Sequence, residues 1–157
     1  MQKVKSTKRN LTGRKRTWKH KGNPAVTRII QHNQITLLQN GEAYFPAIEA
    51  ALDRAVYEIY LESYIFANDN TGRRIAEALR RAAFRGVKTH VLIDGFGSKS
   101  LPKTMVDYLV TAGVMVLKFR PKISPWTLRR QRLRRLHRKI VVVDQEIAFV
   151  GGINIID

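Results

Sequence analysis

Two junctions of the same kind constrain the fold most. Arg85-Gly86-Val87 and Ala112-Gly113-Val114 each set a glycine between a helix-patterned stretch and a valine-led apolar run. Glycine ends helices because it takes the left-handed backbone at no steric cost. The run after each glycine has strand composition. Helix followed by strand, twice over, predicts a repeated αβ unit whose strands pair in parallel with helices packed on the sheet.

The rest of the chain fits that frame. A short strand is predicted over 35–38, ended by Asn40-Gly41. A helix is predicted over 44–55, with Phe45, Ile48 and Leu52 at helical spacing and Pro46 in its first turn. The aromatic and β-branched run 56–66 is predicted as a strand, with Ile59, Leu61 and Ile65 on one face and Tyr60, Glu62, Tyr64 and Phe66 on the other. Asp69-Asn70-Thr71-Gly72 carries helix-start chemistry for a helix reaching Arg85. Strand 87–94 ends in the loop Gly95-Phe96-Gly97-Ser98; Pro102 opens another helix, and a strand is predicted over 114–119. A basic loop with Trp126 spans 121–133, followed by strand 136–143, a turn at 144–146 and strand 147–150. The expected fold class is α/β, a mixed, largely parallel sheet flanked by helices.

Charge bounds the partners. The 157 residues carry a formal net charge of +17, which predicts an anionic partner: nucleic acid, a phospholipid surface, or both. No acidic residue occurs over 1–41, and a second basic block runs through Arg129, Arg130, Arg132, Arg134, Arg135, Arg138 and Lys139. Residues 1–27 lack apolar periodicity and are expected to form a disordered basic arm, an electrostatic anchor, ahead of a domain over 34–157. The chain has no cysteine, which removes disulfides and thiolate metal sites, and no apolar run long enough to span a bilayer. The basic N-terminus lacks the apolar region of a signal peptide.

The chemistry concentrates in Leu136-His137-Arg138-Lys139-Ile140-Val141-Val142-Val143-Asp144 and Gly151-Gly152-Ile153-Asn154. Residues two apart on a strand point the same way, so His137 and Lys139 present an imidazole beside an ammonium. A phosphodiester needs such a pair: a nucleophile or base, and a cation for its non-bridging oxygens. Asp144 is expected to orient an imidazole, here or on a symmetric partner. Asn154 offers an amide donor to phosphate, and Gly151-Gly152 lets the backbone approach closely. Glu62, a carboxylate mid-strand among aromatics, and Asp94, at the end of a parallel strand, are candidate site-lining residues. A lone His-x-Lys is common; the added spacing of the aspartate and the Gly-Gly-x-Asn is what gives the pattern weight.

His-x-Lys-x4-Asp followed by Gly-Gly-x-Asn resembles the phospholipase D superfamily signature, where the position of Gly152 is more often serine. Gln39-Asn40-Gly41-Glu42, the run Tyr60-Leu61-Glu62-Ser63-Tyr64-Ile65-Phe66, Leu92-Ile93-Asp94-Gly95-Phe96-Gly97-Ser98 and Ala148-Phe149-Val150-Gly151-Gly152-Ile153-Asn154 together resemble bacterial cardiolipin synthases over 34–157. The resemblance implies that His137 is a nucleophile forming a phosphohistidine, that Lys139, Asn154 and Gly152 hold the phosphate, and that Asp144 tunes a histidine. It implies no metal or organic cofactor. It implies a phosphatidylglycerol-like anionic phospholipid as substrate, and a peripheral place on the cytoplasmic side of the cell membrane.

Cardiolipin synthases carry two such motifs, the second supplying the general acid. This chain has one, since His20, His32 and His90 have no lysine two residues on. It is therefore expected to be the N-terminal half of a longer enzyme, its sheet incomplete at the C-terminal end, needing a second half in the same chain or a partner. Two other expectations stay open: a single-motif, homodimeric endonuclease acting on nucleic acid, and an inactive basic remnant that binds membranes.

Overall fold

The computed structural model describes residues 33–121 and 135–157. The basic arm expected over 1–27, and nearly all of the basic loop with Trp126, lie outside the described residues. The folded unit runs from Leu37 to Asp157.

Its elements are α1 (Asn40–Arg54), β1 (Glu58–Ser63), α2 (Asn70–Phe84), β2 (Lys88–Asp94), α3 (Lys103–Val110), β3 (Met115–Phe119), β4 (Ile140–Val143) and β5 (Ile147–Val150). The sheet order is β3-β2-β1-β4-β5. β1 pairs in parallel with β2, and β2 with β3. β4 returns antiparallel to β1, and β5 antiparallel to β4. The sheet is mixed α/β, as the repeated glycine junctions require. Gly86 and Gly113 sit at φ +90° and +93°, the left-handed backbone that stops each helix.

Alternation fixes which sheet face is buried. Ile59 and Leu61 of β1, Val91 and Ile93 of β2, and Val141 and Val143 of β4 join Ile48 and Leu52 of α1 and Ile75 and Leu79 of α2 in one core. The opposite face carries Tyr60 stacked on His90, with ring centroids 4.6 Å apart, and exposed Met115 and Leu117. Parallel β1 and β2 therefore end at the same edge, where β4 begins, because Glu62 of β1 lies beside Ile140.

Three expectations change. No strand forms over 35–38; Ile35 is 93% exposed and finds no ladder among the described residues, while α1 already begins at Asn40. β1 stops at Ser63, so the alternation extrapolated to residue 66 fails: Phe66 is buried, through a bridge to Ile155, and Ile65 is only half-buried. β4 starts at Ile140 and not at 136, because its antiparallel pairing with β1 ends at the Glu62–Ile140 pair. His137 and Lys139 thus lie just outside the strand.

The last residues return to α2. Asp69 Oδ1 accepts the Gly72 N–H at 2.8 Å, and Asp157 accepts from Thr71 at 2.9 Å and Asn70 at 3.2 Å. Two carboxylates thereby satisfy the free donors of the helix start.

Candidate active site

The edge where β1 and β2 end and β4 begins gathers the chemistry. Lys139 Nζ lies 3.1 Å from His137 Nε2 and donates to the His137 carbonyl at 3.3 Å. Lys139 is 5% exposed, whereas His137 is open to solvent. Lys139 lines a small cleft with Leu61, Ile153 and Ile155, and its ammonium lies beside the imidazole. Desolvation holds the Lys139 pKa below the ordinary lysine value. Its carbonyl accepts the Gly151 N–H at 3.2 Å, which draws the Gly-Gly-x-Asn segment alongside.

Asp94 fixes the position of this pair. It is fully buried at the end of β2. Its Oδ1 accepts from Phe96 N–H at 2.9 Å and Gly97 N–H at 3.0 Å, and its Oδ2 accepts from Leu136 N–H at 2.9 Å. Burial pushes its pKa up, but the Gly97, Leu136 and Phe96 N–H groups and the Arg135 charge outweigh this and hold it below the usual carboxyl value. Asp94 therefore acts on the residue that precedes His137 and is a positioning group.

Tyr64 completes the wall. Its ring centroid is 5.1 Å from that of His137, and Lys139 Nζ lies 5.4 Å above it. Gly97 packs so closely here that a Cβ would stand 2.3 Å from the Tyr64 carbonyl oxygen. Ser98 is buried; its hydroxyl donates to that carbonyl at 3.0 Å and accepts the Phe66 N–H at 3.0 Å. Tyr64 and Ser98 were missed as site residues. The available signal was the Asp94-Gly95-Phe96-Gly97-Ser98 loop at a parallel strand end.

The other candidates divide. Asn154 Oδ1 accepts the Ile65 N–H at 3.2 Å, which leaves its amide hydrogens as donors. Gly152 has open space where a Cβ would stand, so no close backbone contact explains that glycine. Glu62 pairs with Arg138, whose Nε lies 2.7 Å from its carboxylate. Asp144 sits at the far end of β4, turned by φ +51°. Its carboxylate accepts from Val56, Tyr57 and Glu58 N–H groups, each at 2.8 Å. Four strand residues separate it from Lys139, so within this chain it anchors the β1 start and does not reach His137.

A larger cavity, about 510 Å³, opens between α2 and α3 among Arg73, Arg74, Glu77, Met105 and Tyr108, away from the motif. Among the described residues, no group of three His, Cys, Asp or Glu side chains is placed to hold a metal ion. The arrangement at the sheet edge offers an exposed imidazole and a desolvated ammonium within hydrogen-bond distance of it, with the Asn154 amide on the segment that Gly151 ties to Lys139. Those groups suit in-line attack on phosphorus with charge neutralised on its oxygens.

Comparison with known proteins gives the family and the fold. Residues 48–157 match the family described as cardiolipin synthase, PLD-like domain. Cardiolipin synthase B of Shigella flexneri is 46% identical over 122 residues, which are 78% of this chain and 30% of that protein. Cardiolipin synthase 1 of Bacillus anthracis is 37% identical over 136 residues, 87% of this chain and 26% of that protein. The chain thus spans about a third or less of the curated relatives it matches. Among solved structures, the phospholipase D family member Nuc from Salmonella typhimurium superposes with a TM-score of 0.55 at 21% identity, covering 74% of this chain and 68% of that one. NucT from Helicobacter pylori gives 0.54 at 20% identity, covering 69% and 65%. These two show the fold.

Proposed function

The chain belongs to the PLD-like domain family of the cardiolipin synthases, and from that premise we propose that it supplies the nucleophile half of a phosphatidyltransferase. The observation that carries this is the 3.1 Å approach of Lys139 Nζ to His137 Nε2 at the sheet edge. As the phosphate of an anionic, phosphatidylglycerol-like phospholipid enters, its oxygens take over the Lys139 ammonium, and the freed lone pair of His137 Nε2 attacks phosphorus. An N–P bond forms, the P–O bond to the headgroup alcohol breaks, and that alcohol leaves with a proton from the general acid of a second His-x-Lys-x4-Asp half. The hydroxyl of a second phospholipid then gives its proton to that same group of the second half, now the base, and attacks phosphorus; the N–P bond breaks, and the imidazole is restored. Lys139 neutralises the non-bridging oxygens, Asn154 donates to one of them through its free amide, and Asp94 holds the backbone before His137.

We further propose that 34–157 is the phospholipase D-like unit and 1–27 a basic arm holding it at the cytoplasmic side of the membrane. Each base near an anionic bilayer contributes about 1 kcal/mol of attraction. No helix among the described residues is long and apolar enough to cross a membrane.

The test is to incubate the chain, with and without a separately produced second half, with phosphatidylglycerol labelled at phosphorus. An acid-labile label on His137, absent from His137→Ala, is expected. A label that survives His137→Ala overturns the mechanism. Salt-sensitive cleavage of oligonucleotides by a dimer, with no lipid labelling, would establish the nuclease reading instead.

A further inference from the structure

Phe96 is 45% exposed, yet its loop is closely packed on both sides. Its N–H is bound by Asp94 at 2.9 Å. On one side, a Cβ on Gly95 would stand 2.4 Å from the Pro121 Cα; on the other, one on Gly97 would meet Tyr64 at 2.3 Å. A rigid loop thus presents a large apolar ring to solvent at the edge that carries His137.

Two cations accompany that ring. Arg135 Cζ lies 5.1 Å and Lys99 Nζ 5.3 Å from its centroid. Arg135 Nη1 is buried with no hydrogen-bond partner among the described residues. Arg135 is joined through Leu136 to His137, so the group and the nucleophile share one short stretch of backbone, pinned by Asp94. Single exposed apolar residues are ordinary on protein surfaces. An aromatic on a braced loop with two flanking cations is the arrangement that suits the bilayer interface. There the ring enters the acyl boundary while the cations remain with anionic headgroups.

We propose that Phe96, Lys99 and Arg135 form a docking point for an anionic phospholipid surface, placed to present a headgroup phosphate to His137. The inference rests on the phosphatidyl-transfer reading for its substrate but is tested separately from it. The membrane partner is favoured over nucleic acid because the phosphatidyl-transfer reading supplies a phospholipid substrate; base stacking on the same ring is the alternative that the oligonucleotide titration excludes.

The test uses the absence of cysteine from the chain. Phe96→Cys and, as control, Tyr57→Cys in the full chain are labelled with a polarity-sensitive fluorophore. Tyr57 is 72% exposed at the opposite end of the strands. Vesicles of phosphatidylglycerol and phosphatidylcholine, pure phosphatidylcholine vesicles and a single-stranded oligonucleotide are titrated against each. A blue shift at position 96 with anionic vesicles, quenched by lipids brominated in the acyl chain and absent at position 57, is expected. Adding Lys99→Glu in the Phe96→Cys background should reduce the vesicle-dependent shift at least several-fold.

A label at 96 that remains in water while the protein sediments with anionic vesicles overturns the proposal, as does an equal shift at 57. A larger response to the oligonucleotide also overturns it. Phosphohistidine formation on a short-chain, monomeric phosphatidylglycerol reports on the transfer reading alone, so failure of one experiment leaves the other interpretable.

Discussion

Asp94 Oδ2 accepts the backbone N–H of Leu136 at 2.9 Å across 42 residues of sequence. Its other oxygen closes the Phe96–Gly97 turn. One buried carboxylate therefore couples the end of β2 to the backbone that presents His137. Asp94→Asn must turn an NH₂ group toward at least one N–H donor, which leaves a buried donor unpaired. A loss of about 1–3 kcal/mol is expected from denaturant unfolding. In the labelled-lipid assay the rate of His137 phosphorylation should fall several-fold more than lipid affinity. Equal losses in both would reduce Asp94 to a merely structural role.

Asp94 and Asp144 also set an acid limit. For Asp144, burial raises the pKa, but the Glu58, Val56 and Tyr57 N–H groups outweigh it and hold the carboxyl below its usual value. Both native pKa values are depressed, so both groups contribute stability above the unfolded carboxyl value of about 3.9 and lose it as pH falls below that. Unfolding free energy measured against pH should drop below about pH 4. Asp144→Asn should be less stable than the parent at neutral pH, by about 1–2 kcal/mol, and should converge with it in acid. A constant difference down to the lowest pH would show that the charge is not what Asp144 contributes.

The parts of this fold that were legible in the sequence are those set by local chemistry. Gly86 and Gly113 mark helix ends because only the left-handed backbone fits there, and the sheet follows from what lies on either side of them. The proximity of His137 and Lys139 followed from their two-residue spacing ahead of a β-branched run. What stayed hidden depends on register. Asp144 looked free to orient an imidazole, but pairing of Ile59 with Val143 carries it to the start of β1, where backbone donors wait. By strand alternation alone, Tyr64 shares a face with Tyr60, Glu62 and Phe66. It joins the site because β1 ends at Ser63 and the chain then turns against Gly97. Ile35 and Leu37 had strand composition but no neighbouring strand, and composition cannot report that.

The glycines near the site separate into two kinds. Gly97→Ala would place a methyl 2.3 Å from the Tyr64 carbonyl oxygen, which cannot yield without moving the loop. A loss of about 2 kcal/mol or more is expected, with the thermal midpoint lowered accordingly. Gly152→Ser meets nothing within 4 Å and should change stability by less than about 0.5 kcal/mol. Thermal unfolding of both variants checks the contrast, and a Gly152→Ser protein as unstable as Gly97→Ala would contradict it.

Lys139 offers the cleanest separation of folding from chemistry. The residue is buried and lines one small cleft with Leu61, Ile153 and Ile155, and its ammonium meets the imidazole. Desolvation lowers its pKa, so the charged form is a burden on the native state. Between the depressed native value and the unfolded value of about 10.4 the unfolded chain binds more protons, and stability rises with pH across that window. Lys139→Met keeps the length of the stem and removes the charge. The variant should unfold at the same temperature or a few degrees higher, and the rise of stability across the alkaline window should disappear. Its affinity for inorganic phosphate, followed through the His137 ring resonances, should fall at least tenfold, because the only cation held against that ring by a described contact is gone. A destabilised Lys139→Met would mean that the ammonium belongs to the fold. A stable variant that still binds phosphate would mean that the anion site lies elsewhere on this basic surface.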